Sequence, residues 1–203
     1  MKVAIIKYNA GNVQSVLYAL QRLSIDATVT DDHDEIKMAD KVIFPGVGHA
    51  ASAMEYLKKR KLDNLIISLQ QPVLGICLGL QLLCKSSEEG NTKCLGIFNT
   101  EVRKFDDSVF QNKNLVPVKI PHMGWNTINH LSSKLMKGIP DDSYVYFVHS
   151  FYAEVCDETV ATADYIQPFS AALHKDNFYG VQFHTEKSAQ VGEKILSNFL
   201  KNS

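Results

Sequence analysis

Cys77 is the residue of this 203-residue chain whose surroundings most favour chemistry. The apolar segment 72–76 predicts a buried strand, and the apolar spacing after Cys77 predicts a helix. Gly75 and Gly79 flank the cysteine in the pattern of a nucleophile elbow, a tight strand-to-helix turn with no room for side chains on its flanks. Such a turn presents the sulfur beside free helix N–H groups, which favour a negative charge. The alternative is a small apolar residue packed under a helix, since free cysteine is often buried.

A cysteine nucleophile needs a base and a group that orients this base. His184 follows a strand-like segment, and Glu186 follows His184 by two residues. Residues two apart in an extended backbone project on the same side, so the Glu186 carboxylate is expected to reach the imidazole. The alternative is a surface histidine that ends a strand beside an acidic residue.

Other polar or glycine-rich turns also follow predicted strands. The segment Gly46-Val47-Gly48 could present backbone N–H groups to a reacting carbonyl, or it could only turn the chain into the next helix. It lacks the lysine of a phosphate-binding loop, so nucleotide binding is not expected. Asn12 precedes an apolar helical face and could act as its N-cap or in a functional role. Trp125, the single tryptophan, fits a core anchor or a partner interface equally well.

The elements that must position these residues change in character along the chain. In the first half, strands are predicted at 3–7, 27–30, 41–44 and 72–76, with helices after residue 12 and at 50–59 and 62–69 and an acidic turn or helix start at 31–35. In the second half, strand-like segments lie at 101–105, 116–120, 144–148, 159–163, 170–174 and 179–183, before a helix over 191–200. This order predicts a three-layer α/β fold, in which a doubly wound, mostly parallel sheet is extended by antiparallel hairpins. Ligands bind at the carboxyl ends of such strands, where residues 9–12, 45–48 and Cys77 should converge.

Composition limits the class of protein and its setting. The length fits a single domain over residues 1–203, and 45% hydrophobic with 21% charged residues allows a full core. A net charge of -1 gives no electrostatic basis for binding nucleic acid or an anionic membrane. We expect no signal peptide and no membrane span. The four cysteines form no Cys-x-x-Cys pair, which favours a reduced, cytoplasmic location.

The segments 75–81 and 183–186 together resemble the class I, or triad, glutamine amidotransferases. The segments 8–12, 45–48, 121–126 and 186–188 extend this resemblance over essentially the whole chain, toward the glutaminase subunits of imidazole glycerol phosphate synthases. The family implies that Cys77, His184 and Glu186 hydrolyse L-glutamine to glutamate and ammonia. It also implies contacts with the substrate glutamine by Gly46, Val47, Gly48, Gln81, Glu89, His149, Ser150 and Phe151.

The same resemblance implies a partner. Asn12, Trp125 and Asn126 match family positions at the contact with a cyclase subunit of (β/α)₈-barrel fold, with which the chain would form a heterodimer. Ammonia would pass through that barrel to form imidazole glycerol phosphate and aminoimidazole carboxamide ribotide in histidine biosynthesis. No metal and no cofactor is expected.

Two residues depart from the family pattern. Thr185 stands where proline is common, and we expect its β-branched side chain to preserve an extended backbone. Phe151 stands where tyrosine is usual, which matters little if that residue acts through its backbone.

Two other functions stay open: an amidotransferase subunit that supplies ammonia to a different acceptor enzyme, and a non-catalytic regulatory subunit of the same fold.

Overall fold

The computed structural model describes residues 1–8, 11–106, 108 and 119–202. The strands are β1 (Val3–Ile6), β2 (Ala27–Thr30), β3 (Lys41–Gly46), β4 (Val73–Cys77), β5 (Ser86–Ser87), β6 (Thr92–Lys93), β7 (Glu101–Lys104), β8 (His122–Ile128), β9 (Ser143–His149), β10 (Phe151–Ala153), β11 (Thr159–Asp164), β12 (Pro168–Lys175) and β13 (Phe178–Val181). The helices are α1 (Val13–Arg22), α2 (His33–Lys37), α3 (Ala50–Lys59), α4 (Leu62–Ser68), α5 (Leu78–Leu83) and α6 (Ala189–Asn202). Short 3₁₀ turns cover Lys134–Met136 and Thr185–Lys187.

The main sheet has the strand order β11-β12-β13-β4-β3-β1-β2. The run from β13 to β2 is parallel throughout, whereas β12 and β11 are antiparallel additions at one edge. Two smaller sheets, β10-β7-β5-β6 and β8-β9, accompany it. The predicted doubly wound, mostly parallel sheet with antiparallel extensions is confirmed.

Alternating side chains of the central strands build a core on each face of the main sheet. In β1, Val3 and Ile5 join the apolar cluster that contains α1 and α6, while Ala4 and Ile6 join the cluster that contains α2 to α5. A strand buried on both faces needs apolar residues at every position, which explains the continuous apolar runs in the sequence. The result is the predicted arrangement of three layers.

Most predicted elements occur with boundaries shifted by one or two residues. The acidic segment 31–35 contains the start of α2, where the Asp32 side chain accepts hydrogen bonds from the N–H groups of Asp34 and Glu35. Strand β8 was not predicted, because glycine and asparagine weaken its strand signal; its full-length pairing with β9 determines its conformation instead. Residues 116–118 of the predicted strand 116–120 lie outside the described residues, as do Asn9 and Ala10.

The order of the central strands determines which residues meet at the site. Strand β4 lies between β3 and β13, and Gly46 at the end of β3 is paired with Cys77 at the end of β4. On the other side, Val181 of β13 is paired with Ile76. The glycine-rich segment 46–48 and His184 therefore flank Cys77 from opposite sides.

Candidate active site

Cys77 occupies a strained turn between β4 and α5. Its backbone φ of 52° and ψ of -110° lie in a region that residues other than glycine rarely adopt. A Cβ atom on Gly79 would lie 1.8 Å from the carbonyl oxygen of Phe44, and one on Gly75 would lie 2.8 Å from the backbone of Gly79. Both flanking positions therefore require glycine, as the predicted elbow demands.

His184 and Glu186 form a buried pair beside the cysteine. The His184 Nδ1 lies 2.7 Å from Glu186 Oε1, and the two side chains are 3% and 0% exposed. The predicted contact is confirmed, but the predicted extended backbone is wrong, because the 3₁₀ turn Thr185–Lys187 follows His184. The Ser188 hydroxyl donates to the His184 carbonyl at 2.6 Å and closes this turn.

The environment of His184 favours its protonated form. Burial alone would lower the pKa of His184, but hydrogen bonds with Cys77 and Glu186, together with the negative charges of these two groups, raise it to about 10. The arrangement suits an imidazolium that faces a thiolate through one ring nitrogen and a carboxylate through the other. Such a pair can attack a carbonyl carbon and then give a proton to the leaving group.

Asn12 contacts this pair, which its position at the start of α1 did not predict. It occupies the N-cap position with φ 73°, but its side chain makes no capping hydrogen bond. The amide instead donates to Glu186 Oε1 and lies 3.4 Å from His184 Nδ1. Of the two roles left open for Asn12, side-chain capping is not the one observed, because the left-handed backbone turns the amide toward the carboxylate.

A cavity of about 310 Å³ opens in front of Cys77. Its wall includes the following predicted glutamine contacts: Val47, Gly48, Gln81, Glu89, His149, Ser150 and Phe151. Gly46 does not line the cavity; it lies beneath it, where a Cβ would meet the buried Tyr8 hydroxyl at 1.9 Å. Leu78, Pro121 and Val148 complete the wall and were not predicted as site residues.

Two polar residues of the wall also hold the surrounding backbone. Gln81 Nε2 donates to the Phe151 carbonyl at 2.9 Å and to Gln182 Oε1 at 3.0 Å, which occupies both of its amide hydrogens. Glu89 Oε2 accepts from the Ala50 N–H at 2.6 Å at the start of α3. Within the part of the chain that the structure describes, Glu89 Oε1 and Gln81 Oε1 have no hydrogen-bond partner, so each can accept a hydrogen bond from a ligand.

The polar contacts within and onto the segment 149–151 use the Phe151 carbonyl and one ring nitrogen of His149. His149 Nδ1 lies 2.7 Å from the Phe151 carbonyl, and burial lowers the pKa of His149 to about 3. A neutral imidazole is therefore a fixed part of the wall. The observed polar contact of Phe151 uses its backbone, so the hydroxyl of a tyrosine is not required for it.

Comparisons with known proteins identify the family of this chain. The family model described as glutamine amidotransferase class-I matches residues 4–203. This chain belongs to the class-I glutamine amidotransferase family.

Curated members of this family are similar to the chain over its full length. The imidazole glycerol phosphate synthase subunit HisH of Bacteroides fragilis is 58% identical over 201 residues, which cover 99% of this chain and 100% of that protein. The protein of the same name from Bacteroides thetaiotaomicron is 56% identical over 200 residues, covering 98% and 99%. A solved glutamine amidotransferase from Thermotoga maritima has a TM-score of 0.65 at 18% identity, covering 98% of this chain and 82% of its own, which supports the fold alone.

Three further positions were predicted at a partner interface from the family resemblance, and they differ in exposure and in contacts. Trp125 on β8 is 52% exposed and packs edge-on against Tyr146. Asn126 is half-buried and donates to the carbonyl of Asp164 at 2.8 Å. Asn12 is half-buried against Glu186. Trp125 therefore offers the largest free surface of the three.

Thr185 differs from the expectation for this amidotransferase. It begins the 3₁₀ turn instead of continuing an extended strand, and it is only 2% exposed. Its hydroxyl has no hydrogen-bond partner among the described residues. Proline is well suited to the first position of a helical turn, so the geometry is compatible with either residue.

Sequence reasoning missed Gln182 and Tyr8, whose side chains lie close to the elbow. Gln182 is fully buried and bonds to Gln81, and Tyr8 is buried under Gly46. A glutamine inside the apolar run before His184 was the available signal.

Within the described ranges, no group of three or more His, Cys, Asp or Glu side chains could hold a metal ion. In that same part of the chain, no helix has the length and apolar character needed to cross a membrane.

Proposed function

We propose that this chain, as one domain over residues 1–203, is the glutaminase subunit of an imidazole glycerol phosphate synthase. The observation that carries the proposal is the buried His184–Glu186 pair beside an elbow cysteine that opens into a cavity. The full-length similarity to the HisH subunits supports this synthase. The reaction is the hydrolysis of L-glutamine to glutamate and ammonia, for histidine biosynthesis.

The Cys77 sulfur attacks the carboxamide carbon of glutamine, and the carbonyl electron pair moves onto oxygen. When the tetrahedral intermediate collapses, the C–N bond breaks, His184 gives its proton to the nitrogen, and ammonia leaves a thioester on Cys77. His184 then takes a proton from water, which attacks the thioester and releases glutamate and the thiolate. Glu186 holds the tautomer and the orientation of the imidazole throughout, with Asn12 as a second donor to its carboxylate.

The cavity wall supplies complementary groups for each end of glutamine. The free oxygens of Glu89 and Gln81 accept from the α-ammonium and amide N–H groups. Backbone groups of 149–151 position the main-chain end of the substrate, and the segment 46–48 supplies N–H donors to the developing oxyanion. No metal or other cofactor enters these steps.

The ammonia is consumed by a cyclase subunit of (β/α)₈-barrel fold, which binds as the second member of a heterodimer. The contact uses Trp125 and Asn126 on β8 together with Asn12, and the net charge of -1 gives no support for nucleic acid or membrane as a partner. The free cysteines of the described chain fit a cytoplasmic location.

Reconstitution with a candidate cyclase subunit tests the proposal. The wild-type complex should form imidazole glycerol phosphate from either glutamine or ammonium, whereas the Cys77→Ala complex should use ammonium alone. Equal loss of both reactions in Cys77→Ala would contradict the division of labour. Glutamine hydrolysis without cyclase product would point to a different acceptor enzyme, and absence of hydrolysis in the wild-type complex would point to a regulatory subunit.

A further inference from the structure

Gln182 is fully buried between Gln81 and Cys77, two residues before His184. Its Oε1 accepts from Gln81 Nε2 at 3.0 Å, and its Nε2 lies 3.7 Å from the Cys77 sulfur. A buried amide without partners is strongly destabilising, so both ends of this side chain must be satisfied where they lie. Among the described residues, the Cys77 sulfur is the partner of the amide nitrogen, and the same sulfur lies 3.9 Å from the Val148 carbonyl.

The orientation of the Gln182 amide follows from the groups around it. The Phe151 carbonyl can only accept, so the Gln81 atom that faces it at 2.9 Å must be the amide nitrogen. The second hydrogen of that nitrogen is directed at Gln182, which must therefore present its oxygen to Gln81. This leaves the Gln182 NH₂ group on the side of Cys77.

Two neutral histidines hold the other end of this network. His149 Nδ1 donates to the same Phe151 carbonyl, so its Nε2 accepts from His122 Nδ1 at 3.0 Å. Burial lowers the pKa of His122 to about 4 and that of His149 to about 3, which keeps both rings neutral and their tautomers fixed near pH 7. The carbonyl that orients Gln81 is thus held in place by an independent donor.

We propose that Gln182 is a further catalytic residue, whose amide N–H donates to the Cys77 sulfur and stabilises it as a thiolate. This inference rests on the proposed function of Cys77 as the nucleophile. His184 supplies one hydrogen-bond donor to the sulfur, and Gln182 supplies a second. Together they stabilise the negative charge on the sulfur and fix its position before it attacks glutamine. In the thioester the sulfur is neutral, and the bond from Gln182 weakens when the negative charge is no longer needed.

The rate at which iodoacetamide alkylates Cys77 in the full-length protein tests this inference. In that reaction the sulfur displaces iodide, and neither glutamine nor the partner is required. Gln182→Met keeps a long side chain but removes the donor, and we expect alkylation at pH 7.5 to become about tenfold slower. Peptide mass spectrometry assigns the label; Cys84 and Cys94 should react slowly because burial raises the pKa of each thiol.

A matched control is Asn198→Leu, which removes a buried amide that donates to the carbonyls of Leu135 and Lys137. This variant should melt at a lower temperature, whereas its Cys77 should be alkylated at the wild-type rate. Gln81→Met tests the bond between Gln182 and the Cys77 sulfur in a second way, because loss of the Gln81 amide leaves the Gln182 amide free to rotate. Alkylation of Cys77 in this variant should become about threefold slower.

If Cys77 of Gln182→Met is alkylated at the wild-type rate, the inference is overturned, while the assignment of Cys77 as the nucleophile stays intact. If Gln182→Met does not fold, an unchanged alkylation rate of Cys77 in Gln81→Met overturns the inference instead. Should Cys77 of the wild-type protein react no faster than Cys156, the proposed function itself fails. A slowing confined to Gln182→Met and Gln81→Met, with Asn198→Leu unaffected, supports the inference.

Discussion

At the scale of single residues, the site depends on one carboxylate oxygen that serves two donors. Glu186 Oε1 accepts from Asn12 and from His184, while Oε2 is buried with no hydrogen-bond partner among the described residues. A buried carboxylate with an unsatisfied oxygen is strongly stabilised by a nearby positive charge. The protonated imidazole of His184 provides this charge, so protonation of His184 and stability are linked.

Replacing Glu186 with glutamine should show this linkage as a pH-dependent loss of stability. The pKa of His184 is raised from 6.5 to about 10, so the native state holds a proton that the unfolded chain releases between these values. The stability gained from this proton is complete below pH 6.5 and disappears as the pH rises through about 10. At pH 6 we expect Glu186→Gln to lower the free energy of unfolding by about 2 kcal/mol.

Urea denaturation of both proteins between pH 6 and pH 11 measures this difference. The gap between wild type and Glu186→Gln should narrow as the pH approaches and passes the pKa of His184. A gap that stays constant or widens over that range would show that the pair is not an ion pair in the folded protein.

At the scale of elements, the elbow depends on contact between the first turn of α5 and strand β3. The backbone of Gly79 lies so close to the Phe44 carbonyl that a Cβ would be 1.8 Å from the oxygen. This contact places the start of α5 against the sheet, two residues after Cys77 with its φ of 52°. The backbone geometry of Cys77 is therefore a property of two adjacent strands and a helix.

Gly79→Ala should lower the free energy of unfolding by about 3 kcal/mol, because relief of the contact requires a shift of backbone atoms. The matched control is Gly96→Ala. Gly96 has φ 72°, but a Cβ added there would meet no atom within 4 Å, so only backbone strain of about 1 kcal/mol is expected. Chemical denaturation of both variants gives the comparison. Equal losses would mean that the elbow is not closely packed against β3.

At the scale of the whole molecule, the cavity lies at the carboxyl edge of the sheet, and β8 carries large exposed side chains. Met123 is 62% exposed and Trp125 52% exposed on this strand. Exposed tryptophan is typical of interface hot spots, whereas an isolated exposed aliphatic residue is common on any surface. The position of these side chains favours β8 as the contact with the cyclase subunit.

Trp125→Ala should weaken binding of the cyclase subunit by about 2 kcal/mol, since a buried interface tryptophan often contributes this much. Ile67→Ala on α4 serves as the control, because Ile67 is 46% exposed and lines a different cavity beside residues 175–178. Isothermal titration calorimetry with the cyclase subunit measures both. Unchanged affinity in Trp125→Ala, or an equal loss in Ile67→Ala, would exclude β8 as the main contact.

Several features could be predicted because their signal is local. The apolar runs of the parallel strands and the glycines around Cys77 depend on sterics and periodicity within a few residues. The contact of His184 with Glu186 was also predicted from their short spacing, although a 3₁₀ turn and not an extended strand brings the two together. The contacts that were missed are not local. Asn12 and Glu186 are 174 residues apart in the chain, and Gln182 and Cys77 are 105 apart. No short-range pattern distinguishes such an asparagine from an ordinary helix cap.

The sequence by itself therefore determined the doubly wound fold and the family, and it singled out Cys77 and His184 as the predicted nucleophile and base. The tertiary structure decided how these groups are held: a 3₁₀ turn in place of a strand brings Glu186 to His184, and Asn12 is turned away from its helix. The order of β3, β4 and β13 then places Gly46, Cys77 and Gln182 together. The physical reason is that a buried polar side chain must find its partner wherever packing places one, and that position depends on the whole fold.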